Sequence, residues 1–238
     1  VIVGLSVFVI LKMLTILFFD TETNGLPKDR NGLTTNTENW PYILQISWSI
    51  ISCSSERFDV LEQQTHYIEF PEGVPFDTEA AKIHRIEEAV VRSAVPSREV
   101  LEKFRKAAQA SDVIVAHNLA FDKSVLWASY YRLNSQETFS WWPTHDYCTM
   151  IATKNLIKLP SKYAKPNDLY KLPRLVELYK WLFNKEPEGN LHSADADVAV
   201  LITCFRELLA RRVVPFDLWK EAFLVRMRLR SDKLIKSE

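Results

Sequence analysis

The chain has 238 residues, 47% hydrophobic and 25% charged, an ordinary globular composition that excludes a disordered, collagen-like or low-complexity polymer. Its 30 Lys and Arg cancel its 30 Asp and Glu, so a nucleic-acid or membrane partner has to be argued from a local site. Three widely spaced cysteines, Cys53, Cys148 and Cys204, exclude a disulfide framework and a CxxC zinc site and fit a reducing, cytoplasmic setting.

Residues 1–19 are almost wholly apolar, broken by Gly4, Ser6, Lys12 and Thr15. A membrane span or signal peptide competes there with a buried strand. The run from Thr15 to Phe19 leads directly into Asp20, and Met13 offers a natural start. Residues 14–20 therefore read as a buried strand, residues 1–13 as a leader or start-site extension, and no stable membrane partner is expected.

A turn-rich loop spans 24–41, with Gly25, Pro27 and Gly32. The second strand, 43–51, alternates Leu44, Ile46, Trp48 and Ile50 with Gln45, Ser47 and Ser49, the period of a strand. Serines near 54 turn the chain into a third strand over 58–70, and such short connections predict antiparallel neighbours. Helices are expected over 78–90 and 97–110, a doubly covered strand over 112–117, and a helix over 119–133. A strand near 144–149 and helices over 173–184 and 194–211 follow. The whole reads as one α/β domain, residues 14–212, built on a mixed sheet flanked by helices. Residues 213–238 read as a basic helical extension with Arg226, Arg228, Arg230, Lys233 and Lys236. That run is either a solvated face or a nucleic-acid contact.

Three constellations carry chemistry. Asp20-Thr21-Glu22 ends the first strand, and residues two apart project from one strand face, so two carboxylates converge. Adjacent anions repel unless a cation lies between them, and Mg2+ or Mn2+ suits oxygen ligands. A solvated acidic strand end is the alternative. The second constellation is His117-Asn118-Leu119-Ala120-Phe121-Asp122, with Asn118 as a helix N-cap and Asp122 about one turn in. In the third, His192-Ser193-Ala194-Asp195-Ala196-Asp197, Ser193 caps a helix, Asp197 lies one turn in, and His192 stands outside the helix. Asp195 reads as a first-turn acid complementing the helix dipole.

Together and in order, these segments resemble the three motifs of the DEDDh (DnaQ-like) 3′–5′ exonuclease family, of the ribonuclease-H-like superfamily. Phe19-Asp20-Thr21-Glu22-Thr23-Asn24-Gly25-Leu26 matches the first motif, His117 to Asp122 the second, and His192, Ala194 and Asp197 the third. The resemblance spans about 14–210 and includes Asn39-Trp40-Pro41, Ile83-His84 and Cys148-Thr149. Asn24 departs from the usual threonine, and Arg85 from the glycine that often follows His84.

The resemblance implies a ribonuclease-H-like sheet, with three antiparallel strands followed by shorter parallel ones. It implies two divalent ions, Mg2+ or Mn2+, on Asp20, Glu22, Asp122 and Asp197, with His192 as general base. The implied activity is removal of nucleoside 5′-monophosphates from free 3′ ends, with DNA favoured over RNA. Substrate contacts are expected from Thr21, Thr23, Asn24, Leu26, His84, Asn118 and Phe121, with Leu26 as a wedge and Phe121 as either a stacking or a core aromatic. His117 reads as a structural histidine. The aromatic stretch Phe139-Ser140-Trp141-Trp142-Pro143 is either a stacking platform or sheet packing. A polymerase or repair partner is expected to act in trans, since no polymerase domain fits in 238 residues. Two rivals remain to be weighed. A haloacid-dehalogenase-type phosphatase is rejected, because it needs Asp-x-Asp where Asp20-Thr21-Glu22 stands. A catalytically silent nucleic-acid-binding module of the same fold would signal itself by a missing ligand, and none of the five residues is missing.

Overall fold

The computed structural model describes residues 14–53, 57–165, 168–189 and 191–214. The leader assigned to 1–13 and the basic side chains from Arg226 onward lie outside the described residues. No helix among the described residues is long and apolar enough to cross a membrane.

The central strand is β1, Leu14–Thr23, which runs antiparallel to β2, Ile43–Cys53, along its length. Strand β3, Phe58–Tyr67, pairs antiparallel with β2. On the other side, β4, Val113–Ala116, and β5, His145–Cys148, continue in parallel, giving the order β3-β2-β1-β4-β5. This is the expected mixed sheet. Strand alternation sends Leu17 and Phe19 of β1 into one apolar core and Ile16 and Phe18 into the other.

Helices α3, Ser97–Ala110, and α4, Leu119–Leu133, close the first core, where Phe104 meets Phe19 and Trp48 in tilted and edge-on ring contacts. Helices α6, Leu175–Phe183, and α7, Ala194–Ala210, close the second core through Leu178, Leu182, Leu201 and Phe205.

The single helix expected over 78–90 is two: α1, Thr78–His84, and α2, Glu88–Arg92. Arg85 ends α1 in the left-handed region, φ 59°, a conformation that glycine adopts without strain. This gives a physical reason for glycine at that position in the resembling family. Two further elements were not expected: α5, Thr149–Ile157, and a separate antiparallel hairpin of β6, Pro160–Lys165, with β7, Asp168–Tyr170.

β4 pairs with β1 only at Ile16, Leu17 and Phe18. The tail of β1 therefore projects past the end of β4, at the carboxyl ends of the parallel strands, where open α/β sheets place their sites. The loop after β1 is fastened beside it. Asn39 accepts from the Asp29 amide and donates to its carbonyl, each at 2.7 Å. A Cβ on Gly32 would sit 2.4 Å from Asn39 Nδ2, so that close approach requires glycine. The Arg132 guanidinium on α4 ties the carbonyls of Thr37, Trp40 and Pro41.

Candidate active site

Strand alternation settles how the acids are arranged. Asp20 and Glu22 share the face of Ile16 and Phe18, toward α7. Asp197 enters from the first turn of that helix, and the three carboxylates bring oxygens within 4.8 Å of one another. Thr21 points to the opposite face, toward α4, and its hydroxyl donates 2.7 Å to the carboxylate of Asp122. Asp122 is nearly inaccessible, 2% exposed, in the first turn of α4. It stands beside the three-carboxylate cluster and not within it.

The charges are strongly frustrated. Burial, then the charges of Asp122, Asp197 and Glu22, raises the Asp20 carboxyl well above its usual range. Glu22 is pushed up to about 8 by burial, with Asp197 and Asp122 adding to it. Burial pushes Asp122 up to about 7, opposed by the hydrogen bonds it accepts from Thr21. Burial also raises Asp197, against the attraction of His192 and a hydrogen bond from its backbone. Without a cation the cluster holds protons near neutrality. Hard carboxylate oxygens converging with no sulfur or imidazole among them fit Mg2+ or Mn2+.

His192 is exposed and takes a left-handed φ of 72° just before α7, a conformation uncommon for residues other than glycine and found preferentially at functional sites. Ser193 occupies the N-cap position but makes no side-chain cap bond. The start of α7 is held instead by Gln45 of β2, whose buried amide oxygen accepts from the Ala194 amide at 2.9 Å. Gln45 lies opposite Glu22 in the β1–β2 register, so one strand pair fixes both a ligand and the helix bearing another. In the sequence Gln45 is merely the polar half of an alternating strand. Its burial among serines is the signal that it has an internal partner.

The outer residues divide. Leu26 is 70% exposed beyond the tail of β1, free to meet a ligand. Thr23 is buried and donates 2.7 Å to the Gly25 carbonyl, shaping the turn. The Asn24 side chain accepts 2.6 Å from the Tyr42 amide, so it pins the loop. Asn118 sits at the N-cap of α4 with φ 73° and makes no side-chain cap bond, which corrects the capping role read from the sequence. Phe121 is half-buried against the first core. His84 is buried, its Nδ1 accepting from the Ile86 amide at 3.0 Å, and burial lowers its pKa.

His117 holds the Thr149 hydroxyl and the Pro173 carbonyl, each at 2.9 Å, and burial lowers its pKa to about 4. This matches the structural reading. The aromatic stretch is packing: Phe139 stacks on Trp127, Trp141 is buried against Tyr130, and Trp142 meets Phe19 edge-on. A cavity of about 430 Å³ lies elsewhere, between α5 and α6 and lined by Ile157, Leu159, Arg174 and Trp181. None of the four acids lines that cavity.

The exonuclease family model (RNase T) matches residues 17–205. A search of curated proteins finds no match. Among solved structures, Escherichia coli exonuclease I in complex with a dT13 oligonucleotide is 21% identical over 86% of this chain and 43% of its own, TM-score 0.64. The zinc-bound form of the Escherichia coli enzyme with single-stranded DNA gives 21% identity, 92% and 45% coverage, and 0.65. A moderately thermophilic exonuclease I from Methylocaldum szegediense gives 17%, 89% and 43%, and 0.60. These likenesses concern the fold, and the chain spans less than half the length of each. The extent of the family match, over the elements that assemble the carboxylates, makes this chain a member of the exonuclease family.

Proposed function

We propose that the chain is a 3′–5′ exonuclease that works with two divalent ions, Mg2+ or Mn2+, and favours single-stranded DNA. The convergence of Asp20, Glu22 and Asp197 within 4.8 Å carries this reading. The oligonucleotides bound to the Escherichia coli enzyme support the choice of substrate. The proposed exonuclease unit is residues 14–212.

Asp20, Glu22 and Asp197 would hold one ion, and Asp20 with Asp122 the other. Two bound ions supply Lewis-acid stabilisation of the attacking and leaving oxygens in an in-line displacement. His192, exposed beside the cluster, takes the proton from the attacking water. The water oxygen bonds to phosphorus, the P–O3′ bond breaks, and the leaving 3′ oxygen gains a proton. The products are a nucleoside 5′-monophosphate and a shortened 3′-hydroxyl end. Leu26 wedges against the terminal base. Thr21 acts through Asp122 by holding its carboxylate in place.

Single strands labelled at the 5′ end test the reading in Mn2+. Those with a 3′-hydroxyl should shorten stepwise, and those with a 3′-phosphate should resist. Asp20→Asn should abolish release. Internal cuts, or equal digestion of both ends, would overturn it.

A further inference from the structure

The chain is electrically neutral as a whole, yet residues 154–174 carry five lysines and Arg174 against a single acid, Asp168. This is the stretch that folds into the end of α5, the β6–β7 hairpin and the approach to α6. Part of the charge is answered locally: Lys154 pairs with Asp168, and Lys171 and Arg174 share Glu177. Lys158 and Lys162 are exposed and have no carboxylate partner among the described residues. Beside them Tyr163 is 88% exposed, too open to be supporting a core.

The hairpin is also tied to the site. His117, which opens the segment carrying Asp122, bonds Thr149 at the start of α5 and Pro173 just after the hairpin. Two residues earlier the Lys171 amide donates 2.9 Å to the Leu159 carbonyl, closing the hairpin root. Two extended residues span at most about 7 Å, so the root stands next to His117. From that root the six residues of β6 span at most about 20 Å.

We propose that this hairpin is a second nucleic-acid contact. Lys158 and Lys162 neutralise phosphates of the single strand upstream of the reacting 3′ end, and Tyr163 stacks on one of its bases. Cations that follow a backbone, interleaved with an aromatic platform, are what sequence-independent single-strand binding uses. The strand's direction rests on the exonuclease reading. The contact itself does not, and the experiment separates the two.

In the full-length protein, Lys158→Ala with Lys162→Ala, and separately Tyr163→Ala, replace exposed side chains. Binding of a labelled single strand of about 15 nucleotides, within the ~4–16 that such grooves cover, is measured by anisotropy in EDTA. Turnover of a dinucleotide is measured in Mn2+. Each variant should weaken strand binding by about tenfold. The double lysine variant should also flatten the salt dependence by about 1.4 in log–log slope, at about 0.7 per phosphate. Dinucleotide turnover should stay at the wild-type level, since the proposal assigns these side chains to nucleotides upstream of the two at the reacting end. Unchanged strand affinity and salt slope would overturn the proposal and leave the surface to a protein partner. Lost dinucleotide turnover in the variants would equally overturn it, by placing these side chains in the site. A wild type inert on every substrate but binding the strand through Lys158 and Lys162 would sink the exonuclease reading and keep the hairpin.

Discussion

The two faces of the sheet offer different halves of one site. Toward α7, three carboxylates bring oxygens within 4.8 Å of one another, and among the described residues no side-chain donor bonds them. Toward α4, a single buried carboxylate is already satisfied by the Thr21 hydroxyl. The difference follows from alternation along β1, which can give only one face both Asp20 and Glu22. It teaches that four acids close together are not four equivalent ligands: the α7 face groups three carboxylates that could hold one ion, whereas Asp122 stands apart on Thr21.

The largest expected effect breaks this asymmetry directly. Asp197→Asn should weaken the tightest Mn2+ site by roughly 100-fold or more, because it removes a direct ligand, a larger loss than the 10–100-fold typical of outer-shell changes. Asp122→Asn should leave that site within about tenfold while still abolishing turnover. Calorimetric Mn2+ titration checks both. Equal losses of affinity would mean that the four acids act as one site.

Stability against pH sharpens the comparison next. Unfolded carboxyls release their protons near pH 4, whereas folded Glu22 and Asp122 keep theirs to about 8 and about 7. Between those limits the folded state binds more protons, so the metal-free protein loses stability as pH rises from about 4 to about 8. Thermal melts in EDTA should show this, with a shallower slope for Glu22→Gln and recovery on adding Mn2+. Parallel curves for wild type and variant would contradict the frustrated cluster.

The smallest effect concerns what holds α7 in register. Gln45→Ala removes the acceptor for the Ala194 amide and should cost about 1 kcal/mol, as a lost helix cap does, or about 2–4 °C in Tm. Ser193→Ala should stay within about 0.5 kcal/mol, since its hydroxyl makes no cap bond. Denaturant unfolding of the pair distinguishes them, and the reverse order would return the cap to Ser193.

The three antiparallel strands followed by parallel ones, and the segments that bring Asp20, Glu22 and Asp197 together, were legible because they rest on periodicity and on short fixed spacings. The central pairing of β1 and the packing of Phe139 and Trp141 depend on partners far along the chain. Arg85 carries no sign of the positive φ that splits α1 from α2, because any L-residue can be forced there by its surroundings. The hairpin was hidden by composition: the proline and two lysines of PSKYAK do not alternate as a half-buried strand does. Helix α5 follows β5 with Cys148 at its N-cap and no side-chain cap bond, so the usual starting signal is missing. Gln45 was visible only as a polar residue in an alternating strand, since its partner is 149 residues away.

The overhang of β1 has a kinetic consequence. Ile16 to Phe18 are flanked by strands on both sides, and their backbone hydrogens should exchange with solvent only through global unfolding. Asp20 and Glu22 continue that slowest-opening strand, while Asp197 rides on the first turn of a helix, where fraying is local. On the two-ion reading, two of the three acids would then stay in place through local openings, and release of an ion would track the opening of the first turn of α7.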